Sequence, residues 1–141
     1  MATIQERQEE IIEEFSFSED WLDRYQLIID KGNEGEGIDV KYKDDQHLIE
    51  GCQSKVWVNA DLKDGKVYYQ GESNTEIVNG IVSMLVYILS GNTPDDILNA
   101  DLEFIDKIGL KEHLTPTRSN GMLAMVKQMR MYAMVFKAQQ K

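Results

Sequence analysis

The sequence is poor in the residues that most often carry chemistry. It holds one cysteine, Cys52, and two histidines, His47 and His113. A single cysteine excludes an internal disulfide framework, so the fold must rest on its core. One thiol and two separated histidines lack the paired spacing of a zinc site, and an iron–sulfur cluster held by this chain alone would lack thiolates. No metal ligands are therefore assigned.

Positive charge is also scarce: 15 Lys and Arg stand against 25 Asp and Glu, for a net charge of −10, and the basic residues are scattered. Phosphate backbones are bound by a basic face, so the balance argues against nucleic acid and disfavours an anionic membrane surface. A basic protein partner stays compatible, since complementary charge speeds encounter. Long apolar runs are missing too. The longest, Ile81 to Leu89, is too short to span a bilayer. The first fifteen residues carry acids where a secretory signal has basic residues before an apolar stretch, so a cytoplasmic location is expected.

What is present suffices for a core. At 141 residues, 42% of them hydrophobic, residues 1–141 fit one domain, and a domain near this size buries roughly 68–70% of its unfolded surface. Thr3 and Glu6 have the spacing of a capping box, ahead of Ile4, Ile11, Ile12 and Phe15 on one helical face. A second helix is predicted from Ser18, with Trp21, Leu22, Tyr25, Ile28 and Ile29 at helical spacing and Gly32 as terminator. Lys31 to Gln46 has no periodicity and reads as an exposed connection.

From Val56 the period changes to two: Val56, Val58, Ala60 and Leu62 alternate with Trp57, Asn59 and Asp61. Asp64-Gly65 is a hairpin turn signal, and the return strand runs through Val67 to Ser73. The lead-in to Cys52 could add a third strand. Ser73 and Glu76 suggest another capping box, before an apolar stripe from Ile77 to Leu89 that marks a central helix. Thr93-Pro94-Asp95 opens a short helix, a further one spans Leu102 to Ile108 before Gly109, and the last begins near Thr115 and runs to the C-terminus. That helix carries Met122, Met125, Val126, Met129, Tyr132, Ala133 and Phe136 on one face, read as core with a plastic binding surface as the rival. The predicted class is α+β: a small antiparallel sheet, a hairpin over about 55–72, packed against several helices.

Cys52 lies in a polar turn, Gly51-Cys52-Gln53-Ser54, and not in the apolar run expected of a buried structural cysteine. Two readings stand: a tolerated small residue, or a reactive thiol presented by a turn that Gly51 permits. An ordinary thiol, with a pKa of about 8.5, is only a few per cent thiolate at neutral pH, so a nucleophile gains from a nearby cation. Lys55 and Arg118 are candidates. A cysteine–histidine hydrolase or thiol transferase would use His47 or His113 as base, though the setting of His113 better suits a helix edge. The carboxylates Glu9, Glu10, Glu13 and Glu14 read as a solvated face.

Two motifs carry a resemblance. The segment LIEGCQSKVWV, Leu48 to Val58, resembles the cysteine motif of the SufE family, the sulfur acceptors that assist cysteine desulfurases in iron–sulfur cluster assembly. The segment LTPTRSNGMLAM, Leu114 to Met125, resembles that family's second signature, and the similarity extends over nearly the whole chain. The resemblance implies an α+β fold similar to the iron–sulfur scaffold proteins, with the cysteine at a loop tip.

It also implies a sulfur acceptor and activator, not an independent enzyme. Cys52 would take persulfide sulfur from a SufS- or CsdA-like cysteine desulfurase and pass it to a downstream iron–sulfur scaffold. Pyridoxal phosphate (PLP) would belong to the partner, with no cofactor held by this chain. Gly51, Gln53 and Ser54 match the motif around the thiol. Arg118 and Asn120 match the second signature and are expected to brace the cysteine loop or meet the partner. The chain departs from the pattern at "EGEGIDV", Glu34 to Val40, where family members commonly carry a Leu-Pro-type segment. Ile38 stands in for the leucine there, and the glycines are expected to loosen the connection. A non-catalytic scaffold or regulator is the remaining alternative.

Overall fold

A computed structural model describes residues 2–140. Its elements run α1 (Ile4–Ser16), α2 (Trp21–Glu34), a 3-10 turn (Val40–Tyr42), β1 (Val56–Lys63), β2 (Lys66–Ser73), α3 (Glu76–Leu89), α4 (Pro94–Asn99), α5 (Phe104–Lys107), α6 (Leu110–His113) and α7 (Pro116–Gln139). Among the described residues, seven helices and a two-stranded antiparallel sheet make the fold α+β, as predicted.

The hairpin follows from its turn. Asp64 and Gly65 both have positive φ, 51° and 78°, the backbone that matches the twist of two flanking strands. The register pairs Val56 with Ser73 and Lys63 with Lys66. One sheet face, with Val56, Val58, Val67 and Tyr69, is buried among helices. The lead-in to Cys52 contributes one isolated bridge, Leu48 to Trp57, in place of a third strand.

Helix α3 is central, with nine buried residues along its length. It crosses α2 at glycines: a Cβ added to Gly80 would overlap the Ile28 carbonyl oxygen, and one added to Gly32 would lie 2.9 Å from the Gly80 nitrogen. Asn79 ties the crossing to the sheet, accepting from Ser73 N at 3.0 Å and donating to Gly32 O at 3.4 Å. Gly32 is thus a packing residue inside α2, which runs on to Glu34, and not the terminator the sequence suggested.

Other boundaries also differ. Helix α2 starts at Trp21 under an Asp20 cap, and Leu22 is exposed. The Ser73/Glu76 capping box does not form: Ser73 ends β2, Thr75 is the N-cap residue of α3, and it makes no side-chain cap bond. The Thr3/Glu6 box does form.

Residues 35–39 are tethered, contrary to the expected loose connection. Ile38 is buried, its amide donates to Glu72 Oε1 at 3.3 Å, and Asp39 N donates to Gln70 Oε1 at 2.9 Å. Gly37 supplies the positive φ of 73° that lets the chain turn there.

Helix α7 is fastened to the hairpin by two tyrosines. Tyr69 donates its hydroxyl to Met129 O at 2.6 Å, and Tyr132 donates to Val58 O at 3.1 Å. Met122, Met125 and Met129 are buried, as the core reading required. Burial holds both phenols protonated, Tyr69 the more strongly. Hydroxyls that cannot ionise near neutral pH make dependable donors. These bonds fix the height of α7 against β1, and so the wall that the cysteine faces.

Candidate functional site

Cys52 sits on the short loop that leaves the Leu48 bridge and enters β1. Gly51 precedes it with φ 93°, a conformation that residues with a Cβ rarely adopt. This bend turns the next side chain back toward α7. The Cys52 thiol is half-buried and donates to the Gly121 carbonyl at 3.4 Å. A Cβ added to Gly121 would lie 3.4 Å from Sγ, so the missing side chain leaves the sulfur just enough room.

The far side of the loop is anchored. Ser54 Oγ and Thr75 Oγ1 share a hydrogen bond of 2.7 Å, Lys55 N donates to Asn74 Oδ1 at 3.1 Å, and Asn74 N donates to Lys55 O at 3.1 Å. Gly51 and Gln53 are exposed. The loop is anchored after the thiol and takes its positive-φ bend at Gly51, the residue before it.

Beside the sulfur is a cavity of about 190 Å³. Gln53, Ser54, Thr75, Thr117 and Arg118 supply its polar wall, and Val78 and Met125 its apolar one. Burial pushes the Cys52 thiol above its ordinary pKa. Desolvation disfavours the anion, so the inward sulfur is protonated and poorly nucleophilic at neutral pH.

Arg118 reaches the cavity from the first turn of α7, where Thr115 caps the helix by accepting from Arg118 N at 3.3 Å. Its guanidinium donates to Tyr25 Oη at 3.4 Å and forms no ion pair with any described residue. It lines the thiol's cavity and is bound on its other side to the Tyr25 hydroxyl. Arg118, expected to brace the cysteine loop or meet the partner, bonds to Tyr25 on α2, and among the described residues no hydrogen bond joins it to the cysteine loop. Asn120 is exposed on α7, and its side chain makes no hydrogen bond among the described residues. Lys55 is exposed beyond the thiol and does not line its cavity.

Neither histidine joins the site. His47 Nδ1 lies 2.7 Å from Asp44 Oδ1 and its ring packs on Tyr42, centroids 5.0 Å apart. That hydrogen bond holds the Asp44 carboxyl below its usual pKa. His113 ends α6 and stacks on Trp21 at 4.2 Å. The cavity at Cys52 includes neither ring. Among the described residues, no group of three or more His, Cys, Asp or Glu is arranged to hold a metal ion. No helix among them is long and apolar enough to cross a membrane.

Sequence reasoning missed Thr75, Val78, Thr117, Gly121, Met125 and Tyr25 as members of the site. One signal was available. Gly121 is a glycine inside a predicted helix, where it costs about 1 kcal/mol relative to alanine and often marks a close approach.

Three comparisons bear on this arrangement. Residues 9–133 match the model of the SufE family, described as an Fe-S metabolism associated domain. An uncharacterized SufE-like protein of Synechocystis sp. is 36% identical over 135 residues, covering 96% of this chain and 85% of the relative. Another, from Rhizobium meliloti, is 32% identical over 127 residues, 86% of this chain and 91% of the relative. The fold is shared with the solution structure of a hypothetical protein from Thermus thermophilus, at a TM-score of 0.75 and 22% identity over 96% of this chain and 97% of that one.

Proposed function

The chain belongs to the SufE family and so to iron–sulfur metabolism, and from that premise we propose that it is a sulfur acceptor and activator for a cysteine desulfurase. The desulfurase, using its own PLP, removes sulfur from free cysteine and carries it as a cysteine persulfide. The Cys52 thiolate attacks the outer sulfur of that persulfide. A new S–S bond forms at Cys52, the donor's S–S bond breaks, and the donor cysteine leaves as a thiolate. Cys52 then carries the persulfide, no external oxidant is consumed, and the sulfur passes on to a scaffold.

The observation that carries this reading is the half-covered position of the only thiol, one residue after the positive-φ bend at Gly51. A thiol held inward and protonated reacts slowly with anything that does not move the loop. A carrier needs that reticence, because a loaded persulfide is open to oxidants and stray thiols. Outward rotation about Gly51 returns the sulfur to water, lowers its pKa and exposes it, and exchange rate depends on both. Arg118 offers a positive charge at the mouth of the cavity. A hydrolase would need a histidine at the sulfur, and His47 is engaged with Asp44 instead.

The test is desulfurase turnover of free cysteine with and without this protein. Wild type is expected to raise turnover, Cys52→Ser to abolish the increase, and His47→Ala to preserve it. Full stimulation by Cys52→Ser would overturn the assignment. Loss in His47→Ala alone would return the reading to a histidine-dependent enzyme.

A further inference from the structure

Helix α7 is apolar on two sides. One faces the core. The other presents Leu123, Met131, Met134 and Val135 to solvent, at 49%, 47%, 59% and 54% exposure. Four of the nine large apolar residues exposed among the described residues therefore lie on this one helix. Positions 123, 131, 134 and 135 fall on one helical face, with Lys127 between them, over about 18 Å of axis. Isolated exposed apolar residues need no explanation, but a contiguous row of them does.

A groove of about 430 Å³ runs beside this row, between residues 45–50 and α7. Asp45 and Glu50 line one wall, Lys127 and Met131 the other, and none of the three charged groups has an ion-pair partner among the described residues. The groove wall leads directly into Gly51 and Cys52. A Cβ at Gly51 would lie 3.5 Å from Ala124 Cβ, so row, groove and cysteine loop form one continuous surface.

We propose that this face of α7 and the adjoining groove are the docking surface for the sulfur donor, and that the donor's matching face is apolar at its centre and basic at its rim. The proposal rests on the sulfur-acceptor reading above. Two observations select the occupant. Two unpaired carboxylates against one ammonium, on a chain of net charge −10, favour a basic rim and oppose a second copy of this acidic chain. The thiol beside the groove is turned inward on the Gly121 carbonyl, and the protein that must draw it outward for it to attack is the donor. To draw the sulfur out, it must grip the lead-in to the Gly51 bend, which is the groove wall. Exposed Met131 and Met134 suit such a face, because methionine adapts its shape to the surface it meets.

The test uses the double variant Met131→Glu/Met134→Glu, at exposed positions away from the sulfur, with its unfolding midpoint checked against wild type. Binding to the cognate desulfurase and persulfide formation on Cys52 are measured, with inorganic polysulfide as a second sulfur source that needs no docking. The expected result is at least a tenfold loss of affinity and of loading from the desulfurase, with loading from polysulfide unchanged. Should that variant misfold, Asp45→Asn/Glu50→Gln serves in its place, with weaker binding and a shallower salt dependence expected.

Unchanged binding and loading would overturn the proposal. So would a wild-type dimer that the variant dissolves without affecting loading, which would assign the face to a second copy. Intact loading with lost onward transfer would assign it to the acceptor, and also overturns the proposal. If wild type takes sulfur from polysulfide but never from a desulfurase, the sulfur-acceptor reading itself fails and takes this inference with it.

Discussion

Glycine brings the chain against itself at two places, with opposite consequences. At the crossing of α2 and α3, Gly80 lies against the Ile28 carbonyl with no room for a methyl group, and Ile28 is fully buried. At the cysteine, Gly121 leaves ordinary van der Waals space to a half-exposed sulfur held by one weak hydrogen bond. The first contact sets backbone on backbone and tolerates no displacement. The second sets a side chain on a carbonyl, with a cavity next to it. Backbone packing is tight at the crossing, and the thiol loop is held by side-chain contacts that it can exchange for solvent only if it moves as proposed. The two tyrosine bonds fasten α7, the wall that the sulfur faces, to the hairpin.

The sharpest way to break this contrast is alanine at each glycine. Gly80→Ala overpacks the crossing and is expected to cost about 3 kcal/mol or more, read from denaturant unfolding. Stability near wild type would mean the crossing can slip. Gly121→Ala is expected to stay within about 1 kcal/mol, because the gain in helix propensity offsets the tighter contact with Sγ. Its effect should appear in reactivity: the crowded sulfur spends more time outward, and alkylation of Cys52 accelerates severalfold. Slower alkylation would show that the loop has no outward position to use.

A smaller effect concerns pH. Because burial raises the thiol pKa, the alkylation rate in the free protein should climb about tenfold per pH unit and keep climbing beyond about pH 8.5, the value of an ordinary thiol. A plateau at or below that pH would mean the sulfur is already solvated. The smallest effect is at His47, which touches Asp44 and Tyr42 and does not line the thiol's cavity. His47→Ala should leave the alkylation profile of Cys52 unchanged, and a shifted profile would connect two regions that the geometry separates.

These regions were not equally legible in the sequence. Local signals with local causes survived folding: the Asp64-Gly65 turn, the Thr3/Glu6 box and the Thr93-Pro94 helix start are all present. Glycines misled wherever their purpose was tertiary. Gly32 resembles a helix terminator and packs against α3, and Gly37 resembles slack and belongs to a segment bonded to Glu72 and Gln70. The Ser73/Glu76 spacing suited a cap, but pairing with Val56 holds Ser73 in the strand.

At the site, the thiol and its flanking residues were visible because they are contiguous. Thr75, Val78 and Tyr25 were not, since α3 and α2 bring them to the cysteine and its arginine only once the helices have docked on the hairpin. The exposed methionines were hidden for another reason. Helix α7 is apolar on both faces, and a periodic pattern reports one stripe where the structure has two.

Acceptance of one sulfur atom by Cys52 from a desulfurase is the step on which the proposed function rests. The most direct test incubates the protein with a cysteine desulfurase and free cysteine and then determines its intact mass without reductant. The expected result is a gain of one sulfur atom, mapped to the peptide bearing Cys52 and absent in Cys52→Ser. An unchanged mass while the desulfurase turns over, or a gain that persists in Cys52→Ser, would contradict it.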